Sequence, residues 1–330
     1  MLDLGRHQQA AALLAGVVAT RPQDALAWTL LARAHLGMGD HTHAVAAAGR
    51  ATGLDPAAEW PHRIISTALT HLRDHDGALL AAERARRLAP GLWQVHVCIA
   101  QAALGGARLD LAAQAASAAR AIAPDEADVH YMAGKVCLAS GELAAARECQ
   151  ARALALRPVH PGALNELGRI DLKRNNPSGA IRQFIAAARA APQEAVYGRN
   201  AQVGIFHLLA RTCYVLGIAC VLMAVAVVDG HLHGAGLTLM LGALGGVIAA
   251  CAGWVAVRTP PEARRLLVRT LRQPRMAGAL AVALGGIVVA VTVISTGSAS
   301  MPSNVVVVVF TIAGTRIAAT VVLRRRKRSR

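Results

Sequence analysis

The sequence predicts an all-α chain in two parts: a helix–turn–helix solenoid followed by a four-helix transmembrane domain. Three observations carry this. Pro22, Pro56, Pro90, Pro124, Pro158 and Pro192 stand 34 residues apart without a slip, and a fixed period of this length marks a helical repeat. Four apolar stretches crowd the last third of the chain, each near the roughly 20 residues needed to cross a bilayer core. The links between those stretches are alternately free of Lys and Arg and rich in them, the asymmetry that sets membrane topology.

Within the repeats, each proline should follow a second helix and stop it, because its ring cannot continue the hydrogen-bond ladder. Two rows of small residues keep the same step: Ala44, Ala78, Ala112, Ala146 and Ala180, and Ala51, Ala85, Ala119, Ala153 and Ala187. Small side chains there let paired helices approach closely. Residues 25–58 also carry Trp28, Leu31, Ala32, Gly39 and Asp40. Residues 127–158 carry Gly134 and Gly141, and residues 161–192 carry Leu164, Leu167, Gly168 and Phe184.

This pattern resembles the tetratricopeptide repeat, a helix–turn–helix unit of the same period, over about residues 1–192. The second and third copies depart from it, with His62 and His96 for the usual Trp and Ser66 and Ala100 for the usual Gly. Those two pairs are expected to be the softest. The resemblance implies a superhelix whose inner groove is lined by the first helix of each pair. The matching places are Leu26, Thr29, Arg33, Trp60, Arg63, Thr67, Tyr131, Lys135, Asn165, Arg169 and Lys173. Such a groove would hold acidic side chains of an extended peptide through Arg and Lys, while Asn165 bonds the peptide backbone.

The ends of the repeat region need separate readings. Ala10 to Thr20 has the length of a signal-peptide core, but Ala10, Leu14, Val17 and Pro22 keep the repeat register and Gly5 falls where Gly39 and Gly141 fall. A half repeat is therefore favoured over a signal peptide, whose charged n-region is poorly formed here. Residues 193–211 begin like a sixth first helix through Val196, Ala201 and Ile205, and should cap the stack and lead toward the membrane. Arg199, His207 and Arg211 would keep that segment at the interface.

His62, His96 and His130 also stand one repeat apart. Neighbouring helices pack about 8–10 Å apart, whereas Zn–N bonds are about 2.0–2.1 Å. No single ion can join this row, so the three rings are expected to stand in for the packed Trp.

The chain is 55% hydrophobic with a mean hydropathy of +0.41, too apolar for an ordinary soluble protein. Its net charge of +16 would suit nucleic acid, but residues 201–330 hold 14 Lys and Arg against only Asp229 and Glu262. The excess thus sits in the apolar part and favours a topology role over a nucleic-acid footprint. The six cysteines form no CxxC pair and read as small buried apolar groups in a reducing compartment.

The apolar spans are about Thr212–Val228, Ala235–Val257, Met276–Ile294 and Val305–Leu323. Links 229–233 and 295–304 contain no Lys or Arg, whereas link 258–275 and tail 324–330 hold six each. Both termini and the repeats are therefore expected on the cytoplasmic side of a bacterial inner membrane. Link 258–275 reads as an amphipathic interfacial helix in which Arg264, Arg265, Arg269 and Arg272 reach phosphates of anionic lipid. Arg316 lies within the fourth span and is expected to snorkel to the same phosphates. Gly242 with Gly246, and Ala281 with Gly285, allow close helix contact, within one bundle or between two copies.

No Gly-rich phosphate loop, HExxH or GxSxG motif is present, so neither catalysis nor a cofactor or metal is expected. The preferred function is a membrane-anchored adaptor for a protein partner. The alternative is a small-solute transporter or membrane enzyme subunit with a regulatory repeat domain.

Overall fold

The computed structural model describes residue 2, residues 5–209 and residue 211. The four apolar spans, their basic link and tail, and the lipid-contact candidates Arg264, Arg265, Arg269, Arg272 and Arg316 lie outside the described residues. Among the described residues no helix is long and apolar enough to cross a membrane.

Described secondary structure is entirely helical. Helix α1 spans His7–Thr20. Five pairs follow: α2 (Ala25–Gly37) with α3 (His41–Leu54), α4 (Glu59–His71) with α5 (His75–Leu88), α6 (Trp93–Gly105) with α7 (Leu109–Ile122), α8 (Ala127–Ala139) with α9 (Leu143–Leu156), and α10 (Pro161–Lys173) with α11 (Pro177–Ala190). The last described helix, α12, covers residues 195–209. First helices have 13 residues and second helices 14, joined by links of three and four, which together make the 34-residue step.

Each proline acts as expected. The residue before a proline is pushed out of the helical region by the proline ring. Arg21, Asp55, Ala89, Ala123, Arg157 and Ala191 accordingly sit at φ between −141° and −130° with ψ of 70–93°, directly after helices α1, α3, α5, α7, α9 and α11.

The three-residue link within each pair has its own chemistry. Its second residue takes positive φ in all five pairs: Gly39 (77°), Arg73 (66°), Ala107 (58°), Gly141 (85°) and Asn175 (58°), and Gly5 before α1 shares this conformation (70°). Backbone bonds close the turn as a Schellman motif. At the end of α2, the Gly39 N–H donates to Leu36 O at 3.0 Å and the Asp40 N–H to His35 O at 3.0 Å. The third link residue then starts the next helix. Asp40, Asp74 and Asn176 accept from the N–H groups of His43, Gly77 and Gly179, whereas Arg108 and Glu142 make no such side-chain bond.

The chain divides into two compact units, Met1–Ile170 and Asp171–Arg330. In the first, both alanine rows up to Ala153 are fully buried, each at 0% exposure. The largest core cluster runs from Ala78 to Val136 through Ala82, Ile99, Ala103, Ala112 and Met132. The second and third pairs thus contribute much of the continuous core, although their turn and motif residues are the poorest. A second cluster joins α1 to the first pair through Ala10, Val18, Leu31, Ala34 and Ala48, so α1 packs against that pair. In the second unit, Phe184, Ile181, Ala201, Ile205 and Leu208 are buried. Helix α12 therefore packs its apolar stripe as a sixth first helix would.

Candidate peptide-binding groove

In the first unit, α2 touches α4, α4 touches α6 and α6 touches α8, while second helices of successive pairs meet at most marginally. First helices therefore lie on the inside of this stack. Positions five and nine of each 13-residue helix differ by four, so they share one face. Position five holds Thr29, Arg63, Val97, Tyr131 and Asn165; position nine holds Arg33, Thr67, Gln101, Lys135 and Arg169.

Toward the N-terminus, the Arg33 guanidinium lies 6.0 Å from the ring centroid of Trp60 on the next first helix. Arg63 Nε lies 3.1 Å from Glu59 Oε2, both half-buried. Thr67 donates to Arg63 O at 3.0 Å. Toward the C-terminus, Lys135 Nζ lies 5.5 Å from the Tyr131 ring, and that ring packs 4.8 Å from His160. Gly162 makes this possible, since a Cβ there would come within 2.9 Å of the Tyr131 ring. Burial holds the Lys135 ammonium below its ordinary pKa, and the Glu166 carboxylate opposes that fall. Arg169 Nη1 donates to both oxygens of Glu166, at 3.0 and 2.7 Å.

These contacts correct the sequence reading in two places. Thr29 is buried and donates to Ala25 O at 2.8 Å, so it is not part of the groove surface. Glu59 and Glu166 are an addition to the predicted face. They stand four and three residues before Arg63 and Arg169 on the same helices, the spacing at which a carboxylate meets its cation. A ligand carboxylate must therefore compete with an acid already present. Asn165 occupies the expected step and is half-buried. Lys173, exposed at the end of α10, belongs to the second unit.

A polar network that the sequence pattern does not reveal holds the C-terminal end. Asp128 accepts from both Arg157 Nη atoms at 3.1 Å and from His160 Nε2 at 3.0 Å. His160 Nδ1 in turn accepts from the Ala163 N–H at 3.1 Å and so caps α10. These two bonds fix the tautomer, with the proton on Nε2. His160 and Arg157 hold the Asp128 carboxyl below the usual carboxylate range.

Two rings of the histidine row, His96 and His130, take the place of Trp. Trp28 Nε1 donates to Pro22 O at 2.9 Å. His96 Nε2 and His130 Nε2 lie 3.0 and 2.7 Å from Pro90 O and Pro124 O. Each of these first helices is thereby tied to the proline that ended the preceding helix. Cys98, Cys137 and Cys149 are free thiols, half-buried against the core, and burial pushes Cys98 up to about 11. Such a thiol is not a nucleophile near neutral pH.

Tetratricopeptide repeat models match residues 1–60, 97–161 and 131–195. No curated protein matches the chain. Among solved structures, a tetratricopeptide repeat protein from Parabacteroides merdae is 11% identical with a TM-score of 0.56, over 61% of this chain and 79% of that one. The APC/C hetero-tetramer Cut9–Hcn1 gives 16% and 0.55 over 63% of this chain, which spans only 43% of the matched chain. A thermophilic protein of the same repeat type from Thermus thermophilus gives 18% and 0.52 over 55% of this chain and 99% of that one. At these identities the likeness is one of fold. The unbroken 34-residue step, the fully buried alanine rows and the family models agree that residues 1–60 and 97–195 carry tetratricopeptide repeats.

Proposed function

We propose that the chain is a membrane-anchored adaptor whose first-helix groove binds an acidic, extended segment of a cytoplasmic protein. The observation that carries this is the inner face itself, where Arg33, Arg63, Lys135 and Arg169 share the five and nine positions with Tyr131 and are flanked by Trp60. Arg63 and Arg169 already have an acid beside them, so the groove favours a ligand offering several carboxylates. The anchor is supported by the sequence alone, through the apolar spans within 212–323 and the arginine-rich link and tail. Contact of Arg264, Arg265, Arg269, Arg272 and Arg316 with anionic lipid, and association of copies through the small-residue faces, belong to the same proposal.

The test is selection of peptides from a displayed library on full-length protein in detergent micelles. Selected sequences should be rich in Asp and Glu, and their binding should weaken with salt. Lys135→Glu and Arg33→Glu should each remove a charge-assisted contact of about 1.5–3 kcal/mol, roughly ten- to a hundredfold in affinity. Affinity unchanged by both substitutions would move the ligand off this face. Reporter fusions after residues 231, 268 and 330 test the anchor, and external signal at either of the last two would overturn the orientation.

A further inference from the structure

The turn between α2 and α3 gathers three groups that no part of the groove uses. His35 lies in the last turn of α2, Asp40 caps α3, and His43 stands three residues further on. One ligand atom from each lies within 4.8 Å of the other two. His35 Nδ1 is 3.4 Å and His43 Nδ1 2.8 Å from Asp40 Oδ2, and the two rings stack with centroids 5.3 Å apart. His35 Nδ1 is shielded from solvent and makes no aligned hydrogen bond there. Capping of α3 needs only Asp40, which accepts from the His43 N–H at 3.3 Å. It gives no reason for a second imidazole to turn its nitrogen toward the same carboxylate.

We propose that His35, Asp40 and His43 form a binding site for a divalent transition metal of the zinc type. Bonds of about 2.0–2.1 Å in a tetrahedron set ligand atoms about 3.3 Å apart. The His35–Asp40 separation already meets this. His43, whose side chain is 71% exposed, can swing to open its edge with Asp40 by about half an ångström and to set the third edge, where its ligand nitrogen lies at most 4.8 Å from that of His35. Two imidazoles with one carboxylate suit zinc, nickel or copper rather than calcium or magnesium. Three protein ligands leave the fourth position open to water or to a partner's side chain. On binding, Nδ1 of each ring is deprotonated, the proton rests on Nε2 or passes to solvent, and the carboxylate stays ionised. The sequence reading expects no metal. The H-x4-D-x2-H spacing is visible there, but its ligands converge only because the left-handed turn at Gly39 folds α3 back on α2.

The experiment is equilibrium dialysis of the full-length protein against Zn²⁺, with Co²⁺ as the spectroscopic probe. Three variants are compared with wild type: His35→Gln, His43→Gln, and Asp40→Asn. Asn still caps a helix, so the last variant keeps the turn while weakening the metal ligand. Wild type should bind one more ion than each variant, or bind it more than about tenfold more tightly. Its Co²⁺ adduct should show visible bands that the variants lack. Zn²⁺ should raise the melting midpoint of wild type and leave that of Asp40→Asn in place. Equal stoichiometry and affinity in all four proteins, or no binding at millimolar Zn²⁺, would overturn the site. Because peptide selection is read separately, failure here leaves the groove proposal standing.

Discussion

In the first pair, Asp24 caps α2 by accepting from the Ala27 N–H at 2.9 Å, Gly39 occupies the left-handed turn position, and Asp40 caps α3. The same three places in the third pair hold Leu92, Ala107 and Arg108. Neither end residue makes a capping bond, and Ala107 is held at φ 58°. The two pairs nonetheless have helices of equal length in equal register. What they share is buried: Ala32 with Ala100, Ala44 with Ala112 and Ala51 with Ala119 are all at 0% exposure. Packing of small residues therefore selects the fold, and the turn residues adjust how firmly each pair holds. This follows from the nature of a solenoid, in which each unit is stabilised mainly by its neighbours.

The largest effect should come from attacking what the pairs share. Ala100→Leu forces three extra carbons into a closed interface, and overpacking of this kind costs about 1–3 kcal/mol or more. Denaturant melts of the full-length protein should show the loss, and an unchanged midpoint would mean that the interface can open. Next come the turns, where the two pairs should respond with opposite signs. The left-handed region costs an L-residue about 1–2 kcal/mol, so Gly39→Ala should destabilise by about that much. Ala107→Gly should stabilise by about 0.5–1 kcal/mol, after subtracting the greater chain entropy of glycine. Effects of one sign at both places would remove the turn position from the explanation.

The smallest effect concerns a third way to start a first helix. Where the first pair uses Asp24, the fifth uses His160, held by Asp128. Asp128 has its carboxyl lowered in the folded state. It therefore stabilises the fold above the ordinary carboxylate range, and that contribution is lost as pH falls through the lowered value. Being 39% exposed, it should contribute under about 1 kcal/mol. Melts of wild type and Asp128→Asn should differ at neutral pH and converge in acid; a difference that persists in acid would point to packing rather than charge.

Much of this architecture is legible in the sequence because its determinants recur at a fixed step. Prolines and buried alanines are conspicuous by identity, and Gly5, Gly39 and Gly141 mark three of the six turns. Asn175 is a weaker signal for a fourth, since Asn tolerates the left-handed region; Arg73 and Ala107 do not announce the other two, since nothing in their side chains asks for positive φ. In the groove, face and register are readable, but charge pairing is not. Arg63 and Arg169 look like free cations until Glu59 and Glu166 are seen beside them. Thr29 looks like a groove residue because periodicity gives a direction and not a depth. Gly134 fits the repeat motif, and its use is specific: Gln150 passes so close that a Cβ would meet its Nε2, which donates to Tyr131 O at 3.1 Å.

The three-residue link within each pair leaves no spare position. Its first residue closes the departing helix, its second reverses the backbone and its third opens the next helix, so one short stretch serves as both stop and start. An inserted residue would have no assignment, and a deletion would remove two functions at once. The link between pairs is similarly committed where the proline carbonyl receives a ring N–H from the helix that follows. Length variation in such a chain is quantised: it can grow or shrink by whole repeats far more readily than by single residues. The unbroken spacing of six prolines is then the trace left by a turn that tolerates substitution at each place but no change in their number.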